Sequence, residues 1–507
     1  MPLASSQKNH FTLAGVCLAS LMFGLEISSV PVILPTLETV LHSDFNDLQW
    51  IMNAYTIACT TVLMATGTLA DRYGRKRLLV GSLALFGMSS MACGLAGNAN
   101  TLIAARILQG VSGGAMLICQ VAVLSHRFPS GMPRGRAFST WGIVFGLGLG
   151  FGPIIGAAIV ALSSWQWVFL AHGPLTVLAL VLVVAGVDES RDRQHRRLDL
   201  LGIASLSLAV FGIAWYITQG PVLGFTSVPA LTSLLIGGLA IAVFVWAECR
   251  HEDPMFDFSV FRIRLFSGAL FGSAGMNFSF WPCMIFLPLY FQNALGYDAL
   301  GSGLALLAYT LPTLLFPPLG ERLAMRHGPD RVIPLGLFTI GLGFMLMKWG
   351  TSGPHASAMT MLPGSLLAGI GLGLTNTPVT NTTTAAVPGD RAGMASGIDL
   401  SARMISLSLN IALMGYLFVQ GTLAALRNAS PPSSAHAALH ALAERLTAGS
   451  STADGMGAVT ADVARAALAQ GFGWVLLYGG VAVWVFAALS LLAFGRRPVT
   501  QAVGACS

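Results

Sequence analysis

The sequence predicts an all-α integral membrane protein, and three observations carry that prediction. Of 507 residues, 54% are hydrophobic and only 9% are charged, whereas water-soluble domains carry about 25% charged residues. Mean hydropathy is +0.72. Lys and Arg fall in short clusters separated by uncharged stretches of about 20 residues, the length a helix needs to cross the hydrocarbon. An outer-membrane barrel would show short alternating strands instead.

Hydropathy marks fourteen candidate spans, starting near Phe11, Leu48, Leu78, Leu102, Ala137, Trp167, Leu200, Pro229, Phe266, Gly301, Val332, Ala358, Ala395 and Phe472. Only Lys8 precedes the first run and no small-residue cleavage site follows it, so it is expected to be a retained helix and not a signal peptide. The uncharged stretch from Ala137 to Val187 is too long for one helix. Ser163 to Trp167 in its middle reads as an interfacial turn with aromatic anchors, which divides it into two spans.

Cations recur in alternate loops: Arg72, Arg75, Lys76 and Arg77; Arg127, Arg134 and Arg136; Arg191, Arg193, Arg196 and Arg197; Arg250, Arg262 and Arg264; Arg322, Arg326 and Arg331; Arg391; Arg496 and Arg497. The opposite loops hold few, with Arg427, Arg445 and Arg465 spread through one long loop. The positive-inside rule then puts both termini in the cytoplasm, which an even number of spans satisfies. Topology thus accounts for the net charge of +6, and no nucleic-acid partner is needed to explain it. The seven cysteines lie mostly inside spans at no metal-site spacing and are expected to be packing residues; no metal site is expected.

An internal repeat organises the spans. LADRYGRKR from Leu69 aligns without a gap to LAMRHGPDR from Leu323, and both follow an even-numbered span. Parallel repeats of this kind are a known transporter plan, with the substrate site between the halves near the midplane. The expected organisation is an N-terminal six-helix bundle over 1–198, an inserted helix pair over 199–250 and a C-terminal six-helix bundle over 251–507. A periplasmic or extracellular loop near 420–470, Ala-rich with Pro431 and Pro432, has the composition of a short amphipathic helix.

Four segments, in order, carry a family resemblance. GTLADRYGRKR from Gly67 resembles the loop signature between helices 2 and 3 of the major facilitator superfamily, and RILQGVSGG from Arg106 resembles its helix 4 signature. GLGLGFGPIIGA from Gly146 resembles the helix 5 motif of its drug exporters. Gly369 to Ser406 is similar to the segment joining the last helices of the fourteen-span drug:proton antiporter branch. The resemblance covers essentially the whole chain. It implies a major facilitator fold with two inserted helices, driven by the proton motive force with no bound cofactor.

The charged loop reads as a conformational latch of Gly67, Asp71, Arg72, Gly74 and Arg75. Asp71 can favour the N-terminus of the next helix or accept bonds from neighbouring Arg side chains, while Gly67 and Gly74 permit close approach and a tight turn. The bland alternative, positive-inside anchoring, suits Lys76 and Arg77 but calls for neither an acid nor a glycine. In helix 5, Gly148, Gly152 and Gly156 are four apart and form one smooth stripe for close packing, with Pro153 offering a bend. The resemblance associates this motif with export, and the usual closing Gly-Gly is here Gly156-Ala157.

Ionisable residues inside spans mark function by default, because a charge at the bilayer centre costs about 2.5 kcal/mol or more. Glu26 stands deep in the first span and is the expected proton carrier, with Arg106 as the cation that tunes it. The antiporter branch places an aspartate, a Thr and an Asn in this helix; here Glu26, Ser28 and Pro31 stand in their place. A buried structural acid is the alternative for Glu26, and a snorkelling or helix-pairing residue the alternative for Arg106. Asp399 and Arg403, spaced i, i+4, read either as a structural ion pair near the cytoplasmic side or as a second proton-coupling pair.

Met276, Asn277, Phe280, Trp281 and Tyr290 in the ninth span give a soft aromatic face suited to flat lipophilic molecules, although lipid-facing aromatics are ordinary in membrane helices. Pro282 and Pro288 offer breaks there. No phosphate loop argues for an ATP-driven pump, the ten His show no hydrolase or zincin pattern, and no sizeable soluble domain argues for a receptor. The expected function is a proton-coupled exporter of lipophilic or cationic drugs, with a dedicated exporter of one metabolite, antibiotic or siderophore as the alternative. The expected partners are the lipid bilayer, small-molecule substrates and protons, in a bacterial inner membrane, and a periplasmic adaptor protein is left open.

Overall fold

The computed structural model describes residues 5–41, 43, 45–128, 131–190, 200–250, 258–352, 356–388, 391–429, 436–448 and 460–495. The expected cytoplasmic cations Arg191, Arg193, Arg196, Arg197, Arg496 and Arg497, the boundary at 198–199, Pro431, Pro432 and Cys506 lie outside the described residues.

The first bundle comprises α1 (Ser5–Leu41), α2 (Phe45–Tyr73), α3 (Arg75–Gly94), α4 (Ala99–Arg127), α5 (Met132–Leu162), the short α6 (Gln166–Leu170) and α7 (His172–Gly186). A hairpin follows, α8 (Leu200–Leu223) and α9 (Val228–Arg250). The second bundle comprises α10 (Arg264–Asn277), α11 (Phe280–Asn293), α12 (Ala299–Leu315), α13 (Pro317–His327), α14 (Pro329–Thr351), α15 (Ala358–Ala385), α16 (Ala392–Ala429), α17 (His436–Ala448) and α18 (Ala461–Phe494). Among the described residues there are no strands.

Local chemistry sets the helix ends. Asn98 caps α4 by accepting from Thr101 N at 2.9 Å, Asp298 caps α12 through Gly301 N at 2.7 Å, and Ser357 opens α15 with a capping box. Proline divides two spans. Pro282 has no N–H to offer the carbonyl four residues back, and the helix is interrupted at Phe278–Ser279, between α10 and α11. The second division falls at Phe316, just before Pro317, where α12 and α13 meet at a bend of 42°.

Among the described residues, eleven segments are long and apolar enough to cross a membrane, and the bent α12 and α13 pair makes a twelfth. The expected starts near Leu48 and Leu200 fall in α2 and α8, which hold only the shorter apolar stretches Trp50–Leu63 and Leu201–Ile217. In α2, Thr56, Thr60, Thr61 and Thr66 each donate a hydroxyl to the carbonyl one turn back, so polar atoms dilute its hydropathy yet stay satisfied. The molecule is an all-helical, multi-pass membrane protein.

The two bundles repeat one pairing scheme. α1 packs on α7, α2 on α4, and α3 on both α4 and α7; α10 packs on α18, α12 on α15, and α14 on both α15 and α18. The bundles meet along two seams, α5 against α12 and α13, and α2 with α4 against α16. The α8–α9 hairpin leans on α2 and α16 at the second seam. Its α9 presents Leu235, Leu239 and Trp246 outward, a face that lipid rather than water would cover. Within the loop region expected near 420–470, α16 runs on to Ala429, α17 forms a separate helix, and α18 begins at Ala461.

Candidate functional site

Glu26 is fully buried on α1. Its Oε1 is paired with Nη1 of Arg106 from α4. Arg106 lies eight residues past the Asn98 cap, about 12 Å along the helix axis, and is itself 1% exposed. Three further groups fix it. Its Nε donates to the Ile51 carbonyl at 3.0 Å and its Nη1 to Gln109 Oε1 at 2.7 Å. The guanidinium lies 4.3 Å from the Tyr55 ring centroid, and Gln109 is anchored in turn by donating to Ser90 Oγ at 2.8 Å. Gly110 and Gly113 supply the room, since a Cβ at either would collide with Tyr55. The face of α4 that carries Arg106, Gln109, Gly110 and Gly113 is thus turned onto α1, α2 and, at Gln109, α3. This arrangement sets a guanidinium against a buried carboxylate, and Arg106 has partners of its own besides Glu26.

His172, the first residue of α7, completes the cluster. It is 3% exposed, its Nδ1 is 3.6 Å from Glu26 Oε2, its Nε2 is 3.3 Å from the Met22 carbonyl, and its ring meets Phe86 edge-on. The sequence reading missed it. A lone His beside an interfacial Ser-Ser-Trp turn carries no spacing that points to Glu26 five spans earlier.

The residues expected to form a latch gather where α2 ends and α3 begins. Arg75 donates to Asp71 Oδ1 through Nε at 2.9 Å and Nη2 at 2.7 Å, with both side chains largely buried. Gly67 is buried in α2, and Arg72 is exposed with its guanidinium over Tyr73. Gly74 has φ 114, a conformation that favours glycine, and a Cβ there would strike the Glu189 carboxylate. Glu189 occupies the N-terminus of α3, accepting from Lys76 N at 3.1 Å and Arg77 N at 3.2 Å. Beside it Asp188 accepts from Lys8 at 2.6 Å and Arg127 at 2.9 Å. The Lys8 hydrogen bond first, then the Lys8 and Arg127 charges, hold the Asp188 carboxyl below its ordinary range.

Helix α5 has two glycine faces. Gly148, Gly152 and Gly156 abut α1 at Leu21 to Leu25, Ser28 and Ser29, and Ser28 Oγ reaches the Gly148 carbonyl at 3.0 Å. Pro153 sits within the continuous helix. A second row, Gly142, Gly146 and Gly150, faces Thr377, Leu314 and Thr310 of the other bundle. Its four-residue spacing was present in the sequence beside the first row. At the end of this seam where α5 starts and α15 ends, Arg134 donates to Thr384 Oγ1 at 2.7 Å, and Asn381 donates to Glu321 Oε1 at 2.5 Å.

In the second bundle Asp399 and Arg403 form a buried pair at 3.1 Å, with Ser273 donating to Asp399 at 2.6 Å and Arg403 donating to Asn376 and Thr380. Met276, Asn277, Phe280 and Tyr290 pack within this bundle: Asn277 donates to the Ser273 carbonyl, Phe280 stacks on Tyr309, and Tyr290 stacks on Phe472. Trp281 alone of the five reaches across, meeting Phe145 of α5 edge-on at 6.2 Å. Phe145 stacks on Trp141 at 5.7 Å and on Phe23 at 6.1 Å, and Phe23 adjoins Tyr55 beneath Arg106. A file of rings therefore runs from the Glu26 cluster to the opposite bundle. Among the described residues no group of side chains is disposed to hold a metal ion.

The model of the Major Facilitator Superfamily matches residues 16–409. The chain belongs to that superfamily. This superfamily member is 31% identical over 404 residues to the multidrug resistance protein Stp of Mycobacterium tuberculosis, covering 80% of this chain and 75% of that one. It is 30% identical over 409 residues to the tetracenomycin C resistance and export protein of Streptomyces glaucescens, covering 80% and 75%. The same fold appears in the human organic anion transporter MFSD10 at 14% identity, with a TM-score of 0.60 over 97% of this chain and 99% of that one. The proton:xylose symporter XylE gives 0.62 at 14% identity over 97% and 95%. This superfamily member is a membrane transporter.

Proposed function

We propose that this superfamily member is a proton-coupled exporter of lipophilic and cationic compounds, working by alternating access across a bacterial cell membrane. The observation that carries the proposal is the fully buried Glu26 bound to Arg106 inside the first bundle, one file of aromatic rings away from the seam between the bundles. Proton uptake neutralises Glu26 and releases its hold on α4, while Arg106 stays fixed. Substrate rings stack at Phe145, Trp141 and Trp281, where a movement of α1 against α5 is felt directly. The two seams and the repeated pairing scheme supply rigid bundles that rock about a central site.

Fourteen crossings are proposed, the twelve qualifying segments and helices α2 and α8, with both termini in the cytoplasm. Asp71, Arg75 and Gly74 act as the latch that ties α2 to α3 on that side. The relatives support an export direction, since their names describe resistance or efflux. A dedicated exporter of one antibiotic is the second reading, and it is favoured by relatives named for tetracenomycin C and methylenomycin A. The test is accumulation of ethidium, a neutral dye and a panel of antibiotics in an efflux-deficient host carrying the protein, with and without a protonophore. Protonophore-sensitive reduction for several unrelated compounds supports the first reading, reduction for one compound supports the second, and no reduction for any rejects export.

A further inference from the structure

His172 is a buried titratable group that the antiport reading does not yet use. Its Nε2 contacts the Met22 carbonyl at 3.3 Å. A carbonyl only accepts, so in that contact Nε2 carries the hydrogen, and in the neutral ring Nδ1 is a bare acceptor. Nδ1 points at Glu26 Oε2, 3.6 Å away. Neither atom has a hydrogen-bond partner among the described residues, although buried polar atoms are ordinarily paired. Two acceptors face one another, and a single proton satisfies both.

We infer that the transported proton is held between Glu26 Oε2 and His172 Nδ1, making His172 the second half of the proton site. Without the proton, the Glu26 carboxylate is tied to α4 through Oε1 and Arg106. With it, Oε2 is tied to α7 through the imidazole while the hold of Oε1 on Arg106 weakens, and the cluster of Glu26, His172 and Arg106 carries one net positive charge. The proton enters from one face and leaves by the other with no other bond made or broken. Loading therefore joins α1 to α7, and unloading returns α1 to α4. The titratable or charged groups facing the pair are Tyr55 and Cys59 from α2, Cys93 from α3 and Arg106 from α4. α5 meets α1 here through Gly148 and Gly152, and α6, Gln166 to Leu170, contributes none.

The inference rests on the antiport reading and can fail separately from it. The full chain is purified in detergent, and its protonated-carboxyl band is followed by infrared difference spectroscopy across pH, for wild type, Glu26→Gln and His172→Gln. The Gln amide keeps the donor to Met22 and lacks the base facing Glu26. The expected result is a band that is lost in Glu26→Gln and whose midpoint moves by about one pH unit or more in His172→Gln, with thermal stability retained. A midpoint within about 0.3 pH unit of wild type overturns the inference. Should His172→Gln not fold, histidine-labelled wild type is used: a His172 Nδ1 signal that titrates with the carboxyl band and changes in Glu26→Gln supports the pair, and one indifferent to Glu26→Gln overturns it. Ethidium-driven proton release from vesicles separates the two ideas. If release is absent but the midpoint shifts, the pair stands and antiport falls; if release is present and the midpoint is unmoved, antiport stands and the pair falls.

Discussion

The guanidinium of Arg106 lies over the Tyr55 ring, 4.3 Å from its centroid, while its Nη1 is bound to Glu26. One residue thus joins α1, α2 and α4 at a point sealed from solvent. Removing it by Arg106→Ala leaves a buried carboxylate without its cation, a loss of about 3–5 kcal/mol. Thermal denaturation in detergent checks this. The double variant Glu26→Leu/Arg106→Met is expected to recover most of that stability and none of the transport, because an apolar pair of similar volume is often neutral in place of a buried ion pair.

The two glycine faces of α5 predict different failures. Gly148→Leu drives a side chain into the α1 backbone at Leu21 to Leu25 and is expected to lower melting temperature and yield. Gly146→Leu and Gly150→Leu meet only side chains of the other bundle, at Leu314 and Thr310. They are expected to fold and reach the membrane while slowing dye efflux several-fold, since the seam must slide. Equal destabilisation at both rows would refute the division.

Arg134 and Thr384 join the bundles at the end where α5 starts and α15 ends. Arg134→Ala is expected to loosen that end. A cysteine placed at the buried Thr377 should then react faster with a membrane-impermeant maleimide added to inside-out vesicles than the same cysteine in an otherwise wild-type chain. An unchanged rate means that this contact does not hold the seam.

Trp281 and Phe145 are predicted to serve substrate. Trp281→Ala or Phe145→Ala should raise KM for aromatic cations about tenfold, the scale of one desolvated cation–π contact of about 1–2 kcal/mol, and less for neutral aliphatic compounds. Concentration-dependent efflux measured with a cationic and a neutral dye distinguishes the two. A uniform effect on both dyes would point to packing instead.

Asp188 gives a pH signature outside the spans. Its carboxyl is held low by Lys8 and then Arg127, so its contribution is present above the ordinary carboxylate range and is lost as pH falls through the lowered value. Exposure to solvent keeps that contribution small. Asp188→Asn should lower neutral-pH stability by a small amount and flatten the acid limb of the stability profile by that same amount.

The sequence disclosed the parts of this site that obey a linear rule. Glu26 and Arg106 stood out because charges inside apolar runs are costly, and Gly148, Gly152 and Gly156 because a four-residue spacing makes a stripe. What stayed hidden was created by tertiary contact. His172 was one of ten patternless histidines until α7 folded against α1; Glu189 sat in a linker that gave no sign of capping α3; Arg134 read as one more positive-inside cation. Phe280 and Tyr290 read as an open aromatic face, but their rings stack on Tyr309 and Phe472 from distant helices.

The most direct measurement is proton release from everted vesicles of an efflux-deficient host, read with a pH-sensitive dye on adding ethidium and other lipophilic compounds, for wild type and Glu26→Gln. Proton release driven by several compounds in wild type and by none in Glu26→Gln is the predicted result. A Glu26→Gln protein that releases protons as wild type does would contradict the account and leave Glu26 a structural acid.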